Sequence, residues 1–514
     1  MGGRRRFLGP TSTWSYTQQV TTLIKNHLKS PDLPKVPLNP EGQEFVLGWP
    51  STGTIGPLSL NTLPSLDFSL YLTNTVKFHL SQLYHLFHEE TFIAGLHKFY
   101  EQGPYAEPLP GNRLWPAGSE LVSRAIELMP DALALNQDPV LATEILCCLA
   151  LYLQSIDHKN SAFLYVGQAM RMAISQGLHR ELVGNNLTNE DTERHYAVWW
   201  TVYILDRRFS SLMGAPNSIR DEDITVPLPD SKDSHSAKAM SMQVALAQLH
   251  AQVLNTVYGS DTQLGPSYLK NTQEVLETMA GLASDLKETF GMQFDHDRPI
   301  SRVSATLNLY YHQCVVLSTR PLLLCLLRRL LSEPMSEDNG YLEITEPIEA
   351  LLRAAQDSAT RSLWILTALQ SQRLLGTKFS TIDLESTFSS AFVLSLMAAL
   401  PTCPLEDTTD VDAGFHLLNQ MIAKGNVIAE FRREDLEQLI NLLHLLGVEI
   451  SQQNSLATNA IPVSNAADCA QTLPTQLGDV GTFNDIYSDQ MLSLAGLLEL
   501  DPAFEHVDEQ WLCS

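Results

Sequence analysis

Apolar residues recur along this chain at intervals of three and four rather than two. From about Ser65 to about Gly447 helical periodicity dominates, and strand-like alternation is rare. No Asn-Gly or Asp-Gly hairpin sits between β-branched runs, and no internal repeat of fixed period is visible. The pattern predicts an all-α fold, a large irregular helical domain. Several helices are bounded by their end signals. Pro139 to about Ile156 is apolar nearly all round, as suits a helix buried between others. A second starts after an N-cap at Asn160 or Ser161, carries a stripe of Ala162, Tyr165, Val166, Ala169, Met170 and Ala173, and ends at Gly177. A third starts at Thr188, where T-N-E-D fits a capping box, and stops at Gly214 with Pro216 just beyond. Arg220 to Asp230 then reads as a proline-punctuated loop. A long helix from about Ser301 to Leu331 contains Pro321, which should kink or divide it. An apolar segment from Leu384 to Leu400 ends at Pro401, and residues 416–447 supply a last pair of helices.

The ends of the chain differ in texture. Residues 1–60 are rich in Pro, Gly, Ser and Thr and read as linker-like and mostly disordered. Residues 61–450 form the helical domain. Residues 451–514 form an acidic tail, since no Lys or Arg follows Arg433. Carboxylates keep such a segment expanded, with Phe483, Leu497, Leu498 and Trp511 accessible. That composition suits a disordered activation segment with nascent helix, whose best amphipathic turn is residues 491–500 with Leu494, Leu497 and Leu498 on one face. A C-terminal helix packed back onto the domain is the alternative, and the activation reading is adopted.

Charge narrows the function. The chain has 514 residues, 33 Lys plus Arg and 58 Asp plus Glu, a net charge of −25. Phosphate backbones repel such a chain, and its only dense basic run is Arg4, Arg5 and Arg6. Seven cysteines without a CxxC pair fit neither a disulfide framework nor a cysteine-rich zinc site, and suggest a reducing compartment. Arg320, Pro321, Arg328 and Arg329 interrupt the longest apolar run, so no membrane span is expected.

The search for chemistry returns little. Nucleophile-elbow, phosphate-loop and HExxH patterns are absent. His85 and His88, beside Glu89 and Glu90, would share one helix face and come nearest to a metal pair, but zinc needs a third ligand. The preferred reading is a helix with histidines near its surface. Asp295, His296 and Asp297 read as a solvated turn. Asp221, Glu222 and Asp223 either cap the loop's own amides, the preferred reading, or form a negative lip on a cleft. Trp199, Trp200 and Tyr203 read as core rather than a ligand pocket. Asp206 and Arg207 follow them, and a partly buried Asp206 requires a partner, with Arg171, His179 and Arg180 as candidates for a structural ion pair. No catalytic, cofactor-binding or metal residue is assigned.

Three motifs then carry a resemblance: Gly177-Leu178-His179-Arg180; Trp199, Trp200, Tyr203, Leu205, Asp206 and Arg207; and Gly214, Pro216, Ile219, Asp221 and Asp223. Their order and spacing over Leu141 to Asp230 resemble the fungal-specific transcription factor domain, the middle homology region of six-cysteine binuclear zinc-cluster regulators. Residues 83–92, 309–324 and 4–16 resemble flanking parts of such proteins, so the likeness covers roughly residues 1–450. It implies a nuclear, all-helical regulatory domain and not an enzyme. In that family an N-terminal cluster of six cysteines holds zinc and reads DNA, whereas the first cysteine here is Cys147. Zinc and DNA binding are therefore implied by the family only, through a cluster supplied upstream or in trans. The implied partners are transcription machinery or coactivators at the tail, a small-molecule inducer and a second copy. Two alternatives stay open: a zinc-cluster-less coregulator acting by protein–protein contacts, and a helical metabolite-binding protein or enzyme.

Overall fold

The computed structural model describes residues 8–28, 64–102, 118–181, 188–229, 234–258, 266–292, 299–332, 345–376, 381–400, 409–448 and 487–500. Among these residues the regular structure is helical throughout. The helices are α1 (Thr13–Leu28), α2 (Leu66–Leu80), α3 (Glu89–Gln102), α4 (Ser119–Glu127), α5 (Ala132–Leu135), α6 (Pro139–Ser155), α7 (Lys159–Ser175) and α8 (Asn189–Met213). After a 3-10 turn at Asp221–Asp223 follow α9 (His235–Thr256), α10 (Pro266–Phe290), α11 (Arg302–Ser332), α12 (Glu346–Ser371), α13 (Thr381–Met397), α14 (Thr409–Ala423), α15 (Val427–Leu445) and α16 (Tyr487–Leu500). Each helix from α6 to α14 packs on its successor, and several also touch the next but one, as α9 does α11 and α11 does α13. One hydrophobic cluster runs through all of them, with α11 and α13 buried on nearly every side.

Local chemistry explains the boundaries. At the start of α8 the Thr188 hydroxyl oxygen accepts the Asp191 N–H at 3.1 Å. At its end the Ala215 N–H returns to the Ser210 carbonyl and the Gly214 N–H to that of Ser211, with Gly214 at φ +63°. This is the Schellman turn that favours glycine. The α6–α7 corner uses the same turn with Asp157 at φ +60°. The chain re-enters helix at once, so α7 begins at Lys159, ahead of the Asn160 or Ser161 cap expected.

Pro321 does not divide its helix. It leaves the Leu317 carbonyl without an i+4 donor. The Tyr258 hydroxyl supplies one at 2.7 Å, and the Tyr268 hydroxyl donates to the neighbouring Ser318 carbonyl at 2.9 Å. The backbone groups a proline disturbs are thus satisfied from α10 and from the residues just after α9.

Two expectations about the ends need correction. Within the segment taken as linker, residues 13–28 form a helix that packs on α11 and α15. Tyr16, Val20 and Ile24, four apart, make the buried stripe, and the proline-rich stretch begins only beyond Leu28. Within the acidic tail, residues 487–500 form α16, laid on α10 and α12 with Met491, Leu494 and Ala495 buried and Leu492 exposed. The turn assigned to partner docking thus spends Leu494 on the domain itself. Phe483, Trp511 and the rest of the tail lie outside the described residues, as do residues 29–63.

Candidate functional site

Arg207 ties the second and third sequence motifs into one knot. It is 1% exposed, and it sits on α8 one residue after Asp206, equally buried. Its Nη1 donates to Asp206 Oδ2 at 3.0 Å, and its Nη2 donates to the Ile219 carbonyl at 2.6 Å and to Asp221 Oδ1 at 2.7 Å. The guanidinium also lies 4.3 Å from the centre of the Tyr203 ring. The Tyr203 hydroxyl donates to the same Asp221 oxygen at 2.8 Å. Asp206 is further satisfied by the Ser218 N–H and hydroxyl, at 3.1 and 2.5 Å. Charge-assisted bonds of this kind pin the 214–224 loop to the helix.

Several expected roles change in consequence. Asp206 takes Arg207 and Ser218 rather than Arg171, His179 or Arg180, because the following loop folds back over its carboxylate. Asp221 receives Tyr203 and Arg207 rather than capping loop amides, and Asp223 pairs with Arg220 at 3.3 Å. Trp199 is fully buried, and the Trp200 indole N–H donates to the Pro227 carbonyl at 3.0 Å. The His179 ring lies 5.8 Å from that of Trp199, and its carbonyl accepts the Thr225 N–H at 3.0 Å. Burial, then the Arg180 charge, lowers the His179 pKa. Gly177 closes α7 at φ +73°, Arg180 is exposed, and the Pro216 carbonyl accepts from the Ser210 hydroxyl.

The other candidate groups are also held structurally. His85 and His88 lie between α2 and α3, not on a helix, because the chain leaves α2 at Leu80. His85 contacts Glu144 at 3.0 Å, whereas His88 sits at the start of α3 beside Thr91 and reaches Glu190. Burial alone would raise the Glu144 pKa, but hydrogen bonds from His85 and Arg194 leave it lowered. Asp295, His296 and Asp297 lie outside the described residues. Cys314 Sγ stands 3.0 Å from His250 Nδ1, but that nitrogen also contacts the Leu246 carbonyl at 3.0 Å. Burial raises the thiol well above its usual range and lowers His250 to about 4, the reverse of an activated cysteine. Among the described residues no three His, Cys, Asp or Glu side chains are grouped to hold a metal ion, and no helix is long and apolar enough to cross a membrane.

A second site was not anticipated. A polar cleft opens between Thr13, the last turn of α6, the Asp157–Lys159 corner, the first turns of α13 and the start of α15. Gln154, Asp157, Lys159, Glu385 and Arg432 line it above an apolar floor of Leu384, Phe388 and Ile428. Its cavity measures about 30 Å³, room for about two waters, within roughly 490 Å³ of open space including the mouth. Lys159 Nζ lies 3.7 Å from Asp157 and 3.6 Å from Glu385, and Arg432 lies 3.1 Å from Asp435 and 4.0 Å from Asp157. No sequence signal marks the cleft, because its residues come from four distant stretches.

Residues 135–271 match the family model of the fungal specific transcription factor domain, an interval that contains the whole Arg207 knot. The thiamine repressible genes regulatory protein thi1 of Schizosaccharomyces pombe is 26% identical over 374 residues, which are 71% of this chain and 45% of that protein. An uncharacterized transcriptional regulatory protein of the same organism is 25% identical over 328 residues, 61% of this chain and 39% of the relative. An ABC-transporter-regulating transcription factor of Aspergillus oryzae is 25% identical over 191 residues, 32% and 21% of the two chains. The chain thus spans less than half the length of these curated relatives. No solved structure matches it significantly.

Proposed function

With residues 135–271 matched to the fungal specific transcription factor domain and fungal transcriptional regulators as its relatives, we propose that this chain is the regulatory part of a nuclear transcriptional regulator and not an enzyme. The observation that carries the reading is that match, with the second and third motifs inside it locked together at Arg207. The helical body acts as a packing equilibrium biased by a ligand or partner. DNA is reached through a zinc cluster supplied upstream or in trans, because a net charge of −25 opposes direct phosphate contact. Transcription machinery or coactivators engage the acidic tail through residues other than the face of α16 that packs on α10 and α12. Phe68, Tyr71 and Phe78, all more than half exposed on α2, support contact with a second copy. The names of the relatives, which concern thiamine-repressible genes and ABC-transporter regulation, support target genes in metabolism or transport.

The test is deletion of the gene in its host with transcript profiling, alongside a tagged chain. A restricted gene set should change, and the tag should be nuclear. An unchanged transcript profile, or a tag excluded from the nucleus, contradicts the proposal. The polar cleft favours a second reading, a helical metabolite-binding protein, for which transcripts stay unchanged while a small molecule still binds.

A further inference from the structure

The cleft at Lys159 is built from helix beginnings. Thr13, Lys159 and Thr381 are the first residues of α1, α7 and α13, and Asn426 is the N-cap of α15. Each helix start carries a partial positive charge and backbone N–H groups without intrahelical acceptors. Four of them facing one cavity favour an anionic group there. Lys159 and Arg432, with side chains 8% and 9% exposed, add two full cations. Both cations are paired there, Lys159 with Asp157 and Glu385 and Arg432 with Asp157 and Asp435, so the cleft offers charges of both signs.

A second observation points to a ligand. Gln154, 2% exposed in the last turn of α6, lines the cavity, and its Nε2 has no hydrogen-bond acceptor among the described residues. A buried amide donor left unmade is unfavourable, and native structures ordinarily satisfy it with protein, water or ligand. Two carboxylates also line the cavity, Asp157 and Glu385, each within ion-pair reach of Lys159.

We propose that this cleft binds a small zwitterion, a metabolite of amino-acid size whose carboxylate is received by Gln154, Lys159 and the helix starts while its ammonium faces Asp157 and Glu385. A phosphate dianion fits poorly, since the two wall carboxylates repel a second negative charge. A simple amine fits poorly too, since four helix starts and Lys159 oppose it. A cavity with room for about two waters accepts the two oxygens of one carboxylate. Leu384, Phe388 and Ile428 leave an apolar surface for a short side chain. The bound molecule touches the α6–α7 corner, α13 and α15 together, so it holds those elements in one arrangement. This deepens the effector reading proposed above, and its regulatory consequence rests on that reading, whereas binding does not.

The test uses the purified full chain and a panel of the proteinogenic amino acids, with acetate, phosphate and ethylamine as controls at equal concentration. Thermal unfolding and titration calorimetry report binding. At least one amino acid should raise the melting midpoint in a saturable way, and the three controls should not. Lys159→Met should weaken binding by about tenfold or more. Gln154→Met, which keeps the side-chain size, should weaken it as well and serves if the lysine variant does not fold. No shift from any amino acid, an equal shift from acetate or phosphate, or full affinity in a folded Gln154→Met variant overturns the proposal. A reporter assay of the tethered chain runs in parallel. Reporter activity without binding overturns the cleft alone, and binding without reporter activity overturns the regulatory reading alone.

Discussion

Gly9 and Gly214 touch backbone to backbone. The Gly9 N–H donates to the Met213 carbonyl at 2.7 Å, and a Cβ on Gly214 would come within 2.4 Å of the Gly9 Cα. Thr11 strengthens the seam, its hydroxyl donating to the Ser211 carbonyl at 2.7 Å, and the buried Arg320 approaches the Thr11 carbonyl at 3.4 Å. The glycine of the third sequence motif therefore serves two purposes, a left-handed helix end and a landing place for the N-terminal stretch. Gly177, at φ +73°, has open space where its Cβ would stand. Gly177→Ala should cost about 1–2 kcal/mol for the left-handed backbone. Gly214→Ala should cost about 1–3 kcal/mol more through the added clash. Denaturant unfolding of the two variants measures the difference, and equal costs would mean that the N-terminal seam does not form.

Arg207 and its partners differ in burial, so their removal should differ in effect. Arg207→Met strands the buried Asp206 carboxylate and should cost about 3–5 kcal/mol. Asp221, nearly half exposed, has water to replace its contacts, and Asp221→Asn should cost no more than about 1 kcal/mol. Urea unfolding at neutral pH gives both values. The reverse order would move the centre of the knot from the helix to the loop.

His312, at 2% exposure, gives the domain an acid-sensitive core. Burial, with a smaller contribution from Arg361, lowers its pKa to about 3. An unfolded histidine takes up its proton near pH 6.5. The unfolded state therefore binds more protons between those values, and stability falls as pH drops from about 6.5 to about 3, by up to about 1.4 kcal/mol per unit. His312→Gln should remove that part of the slope whatever it does at pH 7. Urea midpoints of both proteins at pH 7 and pH 5 test this, and parallel slopes would exclude His312 as the source.

The docking of α16 can be followed by hydrogen exchange. Amides of residues 487–500 should be protected in the full chain, because Met491, Leu494 and Ala495 are buried. Leu494→Asp places a charge in that apolar contact and should release α16 while leaving protection in α8 unchanged. Rapid exchange of α16 in the unaltered chain would restore the extended activation segment read from composition.

Helix ends were legible where their chemistry is local. Thr188 and Gly214 bound α8 in sequence and in space, since capping and left-handed turns depend on a few adjacent residues. What required distant residues was not legible. The buried stripe of α1 is only Tyr16, Val20 and Ile24, alternating with threonines, and its burial depends on α11 and α15. Pro321 stays within one helix because Tyr258 and Tyr268 reach its disturbed carbonyls, and no rule of spacing announces them. The burial of Leu494 in α16 depends on the surfaces of α10 and α12, which come from distant parts of the chain. The polar cleft joins Thr13, Gln154, Lys159, Thr381 and Arg432, and in sequence each is an ordinary polar residue at a helix end or surface. The Arg207 knot lay between: its residues were visible as a group, but the partners each would choose were not.

Regulation itself is tested most directly by tethering. The full chain is fused to a heterologous DNA-binding domain upstream of a reporter gene, and transcript output is compared with that from the DNA-binding domain alone. A regulatory role predicts a changed output that is lost in the Arg207→Met variant, whose motif knot is broken. Output equal to that of the DNA-binding domain alone, from a fusion that is nuclear and folded by its melting profile, contradicts the regulatory role.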